Sequence, residues 1–592
     1  MTSPPDGLPP TDVRRRRSAL KLPDPAPWVL AALTLVLRLV TSADGPTDWD
    51  SAQYAAAVSH FDVRHGQPQP PGYWLYVESA RWVMRLTGLG TIHSLVLVAA
   101  LASAAAVGLT AVAGRSMGGR WLGIAAGAVV ATSPFVWFSG SIVATYSFDA
   151  LACALLMVLA WDARPGSWHG LWAVVALGVL TGFRQSVIQA FAILCLLAVV
   201  ASTRTVRRLV ATVVAGVAAV AVWFVPMVAQ QPGGLSAWVR ATHAETVGAF
   251  QVTSILDHAP GARTNLGIFA AYTVVALAPV AVLSVLAGLV LLGRRLIRGR
   301  PAGRANGTDE IDGDAPTEPE WRRPWYQGRA AVLSAAIVPP AAIVALVQFA
   351  KGGYLLAYLP AAVIALLLPV AALTRRHQVS RAHAARDRRR TSPTWTVVAS
   401  IGVALVVLLG AQRFLSGDGV LPQHQLRATS GLWLQQPRYQ APYNDTRATI
   451  RSTDAIDTAL RDLGPSIDPS RDVVLFDTVD GGDTIYRNAG WALPDVRVTL
   501  VTPGTLLYNQ LHGALYYATG TTVAAGPSGT VFLVASPALP GMADLTAEGY
   551  AIPVETPKPI GGYLVWRLLP GTTVLGVHTV ARSGPRPLGT GI

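Results

Sequence analysis

TDWDSAQYAAAVSHFDVRHGQPQPPGYWLY, Thr47 to Tyr76, lies between two apolar spans. Two of its three carboxylates, Asp48 and Asp50, lie just past the first span. Acidic residues beside a membrane boundary are costly unless they have a task. Asp50, Tyr54 and Val58 are spaced by four and share one helical face, and Ala55 to Ala57 favour helix. Gln69-Pro70-Pro71-Gly72-Tyr73 follows. Trp49, Tyr54, Phe61, Tyr73, Trp74, Tyr76 and Trp82 are of the aromatic type that settles at membrane interfaces. The stretch therefore predicts one or two helices lying on the outer membrane surface.

The rest of the chain fits that setting. Its 592 residues are 52% hydrophobic and 14% charged, against about 25% charged for a soluble domain. The net charge of +14 does not read as nucleic-acid binding, because the basic residues cluster between apolar spans, as at Arg14 to Arg17, Arg207-Arg208, Arg294-Arg295 and Arg388 to Arg390. That is positive-inside patterning. Only three lysines occur, Lys21, Lys351 and Lys558. Cys153 and Cys195 sit in apolar runs and suggest neither a disulfide framework nor a metal site.

Residues 1–26 are Pro-rich, basic and expected to be disordered on the cytoplasmic side. A span needs about 20 apolar residues. Such runs begin at Pro27 and recur at 92–113, 120–138, 142–161, 168–184, 186–203, 209–229, 267–292, 329–349, 355–374 and 394–412, about eleven in all. An inside N-terminus puts the arginine-rich loops in the cytoplasm, and the odd count puts the C-terminus outside. The outer loop 43–91 belongs to the 27–412 membrane domain. The 294–329 loop reads as a polar linker. From about 413 to 592 the apolar residues come in short runs, Val473 to Phe476, Val496 to Val501, Val531 to Val534 and Tyr563 to Leu569, which read as strands. Thr453 to Leu463 has helical spacing and a Gly464 stop. The expected architecture is a mainly α membrane protein with a C-terminal extracytoplasmic α/β domain.

Asp50-Ser51-Ala52-Gln53-Tyr54 resembles the Asp-Glu-x-x-Tyr start of the first outer loop in GT-C glycosyltransferases that use polyprenyl-phosphate sugars, such as the protein O-mannosyltransferases and the aminoarabinose transferases. Gln69-Pro70-Pro71-Gly72-Tyr73 is similar to the Lys/His-Pro-Pro-x-Tyr segment that follows in the same loop. The resemblance implies a membrane enzyme that moves a sugar from a polyprenyl-phosphate donor to an envelope acceptor by direct displacement. By motif position Asp50 is the catalytic base; its alternative is a helix N-cap. Asp48 either joins Asp50 on a divalent cation (Mg or Mn) or is a solvated loop residue. Ser51 stands where the family usually has Glu, which leaves a cation requirement open.

A leaving phosphate needs cations or fixed donors. Arg184 matches in place a basic residue of the aminoarabinose transferases; its alternative is an interfacial anchor. Lys351, in Lys351-Gly352-Gly353-Tyr354-Leu355-Leu356-Ala357-Tyr358-Leu359-Pro360, resembles the family's Lys-x-x-Tyr-x-Leu-Pro segment, with an extra residue pair before Pro360. A compact ammonium suits a phosphate oxygen. Tyr354 and Tyr358, one helical turn apart, are expected to add hydroxyl donors, or else to belong to an aromatic belt. Gln69 stands where the family often has a cation, which makes His65 a substitute. Tyr54 and Tyr73 complete the substrate loop. His243 and Glu245, in the 230–266 loop, read as a metal- or acceptor-binding pair or as a solvated loop face.

Two other classes compete. A transporter or flippase for lipid-linked sugars would use the same basic and aromatic edge residues, with its key carboxylates at the bilayer midplane, where Asp149 is the main candidate. An assembly partner acting through the C-terminal domain is the third reading.

Overall fold

The computed structural model describes residues 24–48, 50–259, 262–298, 324–347, 351–384, 394–416, 445–477, 490–493, 496–501, 521–524, 530–535, 558–560, 563–568 and 573–578. The expectations for the tail before residue 24, for Trp49 and for the body of the polar linker lie outside these residues.

Each predicted span coincides with helical structure. The helices are α1 (Ala26–Val40), α2 (Ser51–Ser59), α3 (Trp74–Thr87), α4 (Thr91–Gly118), α5 (Arg120–Thr132), α6 (Pro134–Ser141), α7 (Ser147–Asp162), α8 (His169–Phe183), α9 (Ser186–Ser202), α10 (Val206–Gln230), α11 (Gly234–Thr253), α12 (Ala262–Arg298), α13 (Arg329–Leu346), α14 (Leu359–Ala384) and α15 (Thr394–Ser416). Among the described residues, α4, α10, α12, α13 and α15 are long and apolar enough to cross a membrane, and α5 with α6 makes a sixth span if the bent pair counts as one. α1, α8, α9 and the Leu359–Thr374 part of α14 are apolar but shorter. Val213, Val217 and Val225 on α10, Leu286 and Leu289 on α12, and Ile401, Leu405 and Leu408 on α15 are exposed. Rows of exposed aliphatics on apolar helices suit lipid, not water.

The predicted span 120–138 is broken. Pro134 disfavours helical geometry at the residue before it, and Ser133 leaves the helical region, so α6 turns 60° from α5. The break frees backbone carbonyls, and Arg38 of α1 takes one. Its guanidinium, fully buried, donates to Ala131 O at 2.6 Å and lies over the Trp137 ring at 5.0 Å. A buried cation in the helix bundle is thus held by a carbonyl and an aromatic face.

α2 departs from the expectation of a helix lying on the membrane surface. Ser51, Ala52, Gln53, Tyr54, Ala55 and Ala57 are buried inside the protein. Its small side chains allow close packing, and Tyr54 meets Tyr73 and Tyr76 edge-on, each at 5.3 Å. α3 keeps an apolar outer face, with Trp82 and Leu86 exposed.

The two ends of the bundle differ in charge. At one end Asp24 pairs with Arg115 (3.1 Å) and Arg120 (3.0 Å), Arg208 lies over Trp168, and Arg294 over Trp395. The acidic loop before α2 lies at the other.

Beyond α15 the described residues form a second unit around a seven-stranded sheet: β1 (Val473–Asp477), β2 (Arg497–Val501), β3 (Thr521–Ala524), β4 (Val531–Ala535), β5 (Lys558–Ile560), β6 (Tyr563–Leu568) and β7 (Thr573–His578), in the order β3-β7-β2-β1-β4-β6-β5. β1 runs parallel to β2 and β4; the outer pairings are antiparallel. α16 (Arg447–Leu463) covers it, burying Ile456, Leu460 and Leu463 with Val474, Phe532 and Val565. The helix at Thr446 has its own cap, the Thr446 hydroxyl accepting the Thr449 N–H, as expected of an N-cap threonine.

α16 also docks on the loop after α1. Asp454 Oδ1 accepts the backbone N–H of Asp44 (3.0 Å) and Gly45 (2.9 Å), and Asp457 packs against Gly45. Burial pushes the Asp454 carboxyl up to about 6 and raises Asp457. A carboxyl with a raised folded-state pKa stabilises the docked form while protonated. That contribution is full below the unfolded value near 3.8 and is lost as pH rises to about 6. Hydrogen exchange across 447–463, referenced to intrinsic rates, is therefore expected to be slower at acid than at neutral pH. Asp454→Asn should remove most of the difference. Equal protection at both pH values would show that this contact does not hold the unit.

Candidate active site

The site begins with Ser51. Its hydroxyl donates to Val143 O (2.8 Å) and accepts the Asp48 N–H (2.9 Å), and the residue is fully buried. A short hydroxyl side chain thereby ties the acidic loop to the junction of α6 and α7. Asp50 occupies the N-cap position of α2, yet its side chain makes no capping bond. Its Oδ2 lies 3.8 Å from Lys351 Nζ, and Asp48 Oδ1 lies 3.5 Å from the same nitrogen. Two carboxylates that are neighbours in the first loop and one of only three lysines, 300 residues away, thus form one cluster.

Lys351 is delivered by a 3-10 turn, Gly352–Ala357, between α13 and α14. The two glycines are needed for approach. A Cβ on Gly353 would fall in the Tyr146 ring, and one on Gly352 would fall on the Asp445 carboxylate. The Lys351 side chain keeps 28% exposure, so its ammonium is reachable from outside while its backbone is clamped.

Behind the cluster lies Arg184, at the junction of α8 and α9. It pairs with Asp149 of α7 at 2.6 Å, donates to Thr145 Oγ1 at 2.9 Å, and sits between the rings of Tyr146 (4.4 Å) and Tyr354 (5.0 Å). The Tyr54 hydroxyl meets the same Thr145 oxygen at 3.3 Å. Tyr73 is half-buried, takes a left-handed backbone (φ 44°) at the start of α3, and has its hydroxyl bonded by Gln69. Left-handed geometry is uncommon outside glycine, and here it orients the ring toward Tyr54. Burial pushes the Tyr73 hydroxyl up to about 12 and that of Tyr54 well above its ordinary value. Both remain neutral donors at physiological pH.

Other residues bear on the cluster from elements distant in sequence. Asp445 precedes α16, Arg413 lies in the last turn of α15, and Tyr272 comes from α12. Arg413 lies over the Phe135 ring at 5.3 Å. Burial, with Asp48 adding to it, pushes the Asp445 carboxyl up to about 7 against the pull of Arg413 and Lys351.

Several sequence expectations are redirected. Arg184 is only 3% exposed and its charge is met by Asp149, so it is a buried keystone instead of an open phosphate contact. Tyr354 joins that keystone, but Tyr358 turns to α12, its hydroxyl 2.8 Å from Thr273 Oγ1. The cause is the 3-10 turn, in which positions three apart are in line and positions four apart diverge. His65 is not a stand-in for the family cation. Its Nδ1 lies 2.7 Å from Asp62 Oδ2, where Arg64 and Gln231 also bond. Burial alone would raise Asp62, yet these bonds hold its carboxyl well below the ordinary range. The result is a structural knot that fixes the loop to α10. His243 and Glu245 lie on the exposed side of α11 and take part in none of the cluster contacts above.

Asp48 and Asp50 both face the Lys351 ammonium, and among the described residues no group of three or more His, Cys, Asp or Glu could hold a metal ion.

The chain is similar to the structure of ArnT from Cupriavidus metallidurans in the apo state, at TM-score 0.44 and 14% identity over 91% of this chain and 97% of that one. It is similar to the same enzyme bound to undecaprenyl phosphate, at TM-score 0.43 and 13% identity over the same shares. It is also similar to the Archaeoglobus fulgidus oligosaccharyltransferase in the apo form, at TM-score 0.36 and 14% identity over 78% of this chain and 63% of that one. No protein-family model matches the chain and no curated protein matches it.

Reading the sequence missed Tyr272, Arg413 and Asp445 as site residues, and Asp149 as the partner of Arg184. Arg413 carried one usable signal, an arginine at the outer end of an apolar helix. Asp445 carried none.

Proposed function

We propose that this chain is a multi-pass membrane glycosyltransferase that moves a sugar from a polyprenyl-phosphate donor to an extracytoplasmic acceptor. The observation that carries the reading is the Asp50–Lys351–Asp48 cluster. Asp50 stands where a helix cap would stand but makes no capping bond, and its carboxylate lies 3.8 Å from a partly exposed ammonium. A base and a phosphate-binding cation are the two groups that the transfer needs. In the reaction, the acceptor hydroxyl oxygen bonds to the anomeric carbon while Asp50 takes its proton. The carbon–oxygen bond to the phosphate breaks, its electron pair stays on the phosphate oxygen, and Lys351 neutralises the charge that develops there. A single displacement inverts the anomeric centre. Arg184 holds the tyrosine wall in place behind the reacting groups.

Asp149 favours the enzyme over the transporter. It lies in the first turn of α7, at the same end as the cluster, and not at mid-span. Activity of the detergent-purified protein with a panel of polyprenyl-phosphate sugars, with Asp50→Asn as the control, tests the assignment.

Lys351→Ala is expected to weaken donor binding by about one to two decades, since a charge-assisted contact contributes roughly 1.5–3 kcal/mol. Isothermal or fluorescence titration with the donor measures it. An unchanged dissociation constant would place the phosphate elsewhere.

The orientation follows from the charged ends. The arginine-rich end faces the cytoplasm, eleven passes alternate, and the cluster and the sheet unit lie outside. A reporter that works only outside the cytoplasm, fused after Ile592, should give signal. Signal from a cytoplasm-only reporter at the same place would overturn the topology.

A further inference from the structure

We propose that Asp445, supplied by the C-terminal unit, is a positioning residue of the lipid-phosphate site: it acts on the Lys351 ammonium, competes there with the carrier phosphate, and so promotes release of the spent carrier. The inference rests on the glycosyltransferase reading and deepens it.

The geometry is specific. The Asp445 carboxylate lies directly against Gly352, the residue after Lys351. On the other side, the Gly352 N–H bonds the Tyr272 hydroxyl, and Gly353 is seated on the Tyr146 ring. The backbone that carries Lys351 is therefore gripped by α12, by the α6–α7 junction and by the second unit together. The groups facing Asp445 are Asp48 from the loop before α2, Lys351 from the 3-10 turn, Arg413 from α15 and Tyr272 from α12. Asp50 shares Lys351 with Asp48.

Charge then decides the role. Three carboxylates, Asp48, Asp50 and Asp445, stand with two cations, Lys351 and Arg413. Above about pH 7, where Asp445 is ionised, the site carries excess negative charge before any phosphate arrives. A phosphate seated beside Lys351 adds to it, and like charges in a partly buried site repel. Asp48 and Asp50 come from the loop assigned to the chemistry. Asp445 comes from a unit that binds through α16 and the Asp44–Gly45 contact, so it can set carrier affinity without touching the reacting carbon. A carboxylate that destabilises the bound phosphate speeds its departure, and product release often limits turnover.

The sign of one measurement separates this role from a structural one. Full-length protein in detergent is titrated with undecaprenyl phosphate above pH 7, where Asp445 is ionised. Asp445→Asn and Asp445→Ala are both expected to bind it about tenfold more tightly than wild type, or about 1.4 kcal/mol, with slower dissociation. Asp445→Glu, which keeps the charge, is expected to return affinity toward wild type. A residue that only packs the site would give weaker or unchanged binding in the first two variants, and that result would overturn the proposal. Lys351→Ala is the control. If it weakens binding while Asp445→Asn changes nothing, only the role of Asp445 fails. If Lys351→Ala leaves binding unchanged, the phosphate site itself is misplaced and both readings fail.

Discussion

Asp50→Asn is expected to lower turnover by roughly 10²–10⁴ with folding and carrier binding near wild type. The substitution keeps side-chain size and removes only the ability to accept a proton. Its effect on stability is bounded by geometry. Asp50 sits at the N-cap of α2 without a side-chain capping bond, so no cap is lost, and asparagine is itself a favoured residue there. Lys351 keeps Asp48 as a partner at 3.5 Å, so the ammonium stays in place for the phosphate. Single-turnover transfer with a preloaded donor isolates the chemical step, and a parallel titration with undecaprenyl phosphate reports the carrier site. Asp48→Asn, measured alongside, is expected to cost less, because Asp48 faces the same ammonium without standing at the head of α2. Should Asp48→Asn prove the more damaging, the base is Asp48. Wild-type turnover in Asp50→Asn would remove Asp50 from the chemistry altogether.

The parts of the molecule readable from sequence are those set by local pattern. Apolar runs located α1, α4, α7 to α10 and α12 to α15 because a bilayer-length helix needs a continuous run, whereas α11 lies in the stretch read as the 230–266 loop. β1, β2, β4 and β6 were visible as runs of branched and aromatic residues; β3, β5 and β7 were not, being short or lacking alternation. The turn at Lys351 was recognised, but its 3-10 winding was not, and that error paired Tyr354 with Tyr358. His65 looked available because its partner Asp62, three residues earlier, gave no sign of being buried. Asp445, Arg413 and Tyr272 approach Lys351 from three separate elements. Nothing in their own neighbourhoods marks them, since the contact exists only after α12, α15 and the second unit have packed.

Arg184 shows what such packing implies for stability. Arg184→Ala leaves the Asp149 carboxylate buried without its partner, and breaking a buried pair from one side costs about 3–5 kcal/mol. Arg184→Lys should recover only part of this, because a compact ammonium cannot lie flat between Tyr146 and Tyr354 or reach Thr145 as the planar fork does. Removing both charges is a different change. Asp149→Leu with Arg184→Met leaves no unpaired ion, and replacing a buried pair by apolar residues of similar volume is often neutral. The double variant is therefore expected to regain most of the thermal stability lost by Arg184→Ala, read from the unfolding transition in detergent. It also separates two roles that the single variant confuses. If Arg184 acts only as a keystone, the double variant regains undecaprenyl phosphate binding along with stability. If it touches the phosphate, stability returns and binding does not. The 3% exposure of Arg184 and its 2.6 Å pairing with Asp149 point to the first outcome, with Lys351 as the cation that meets the donor.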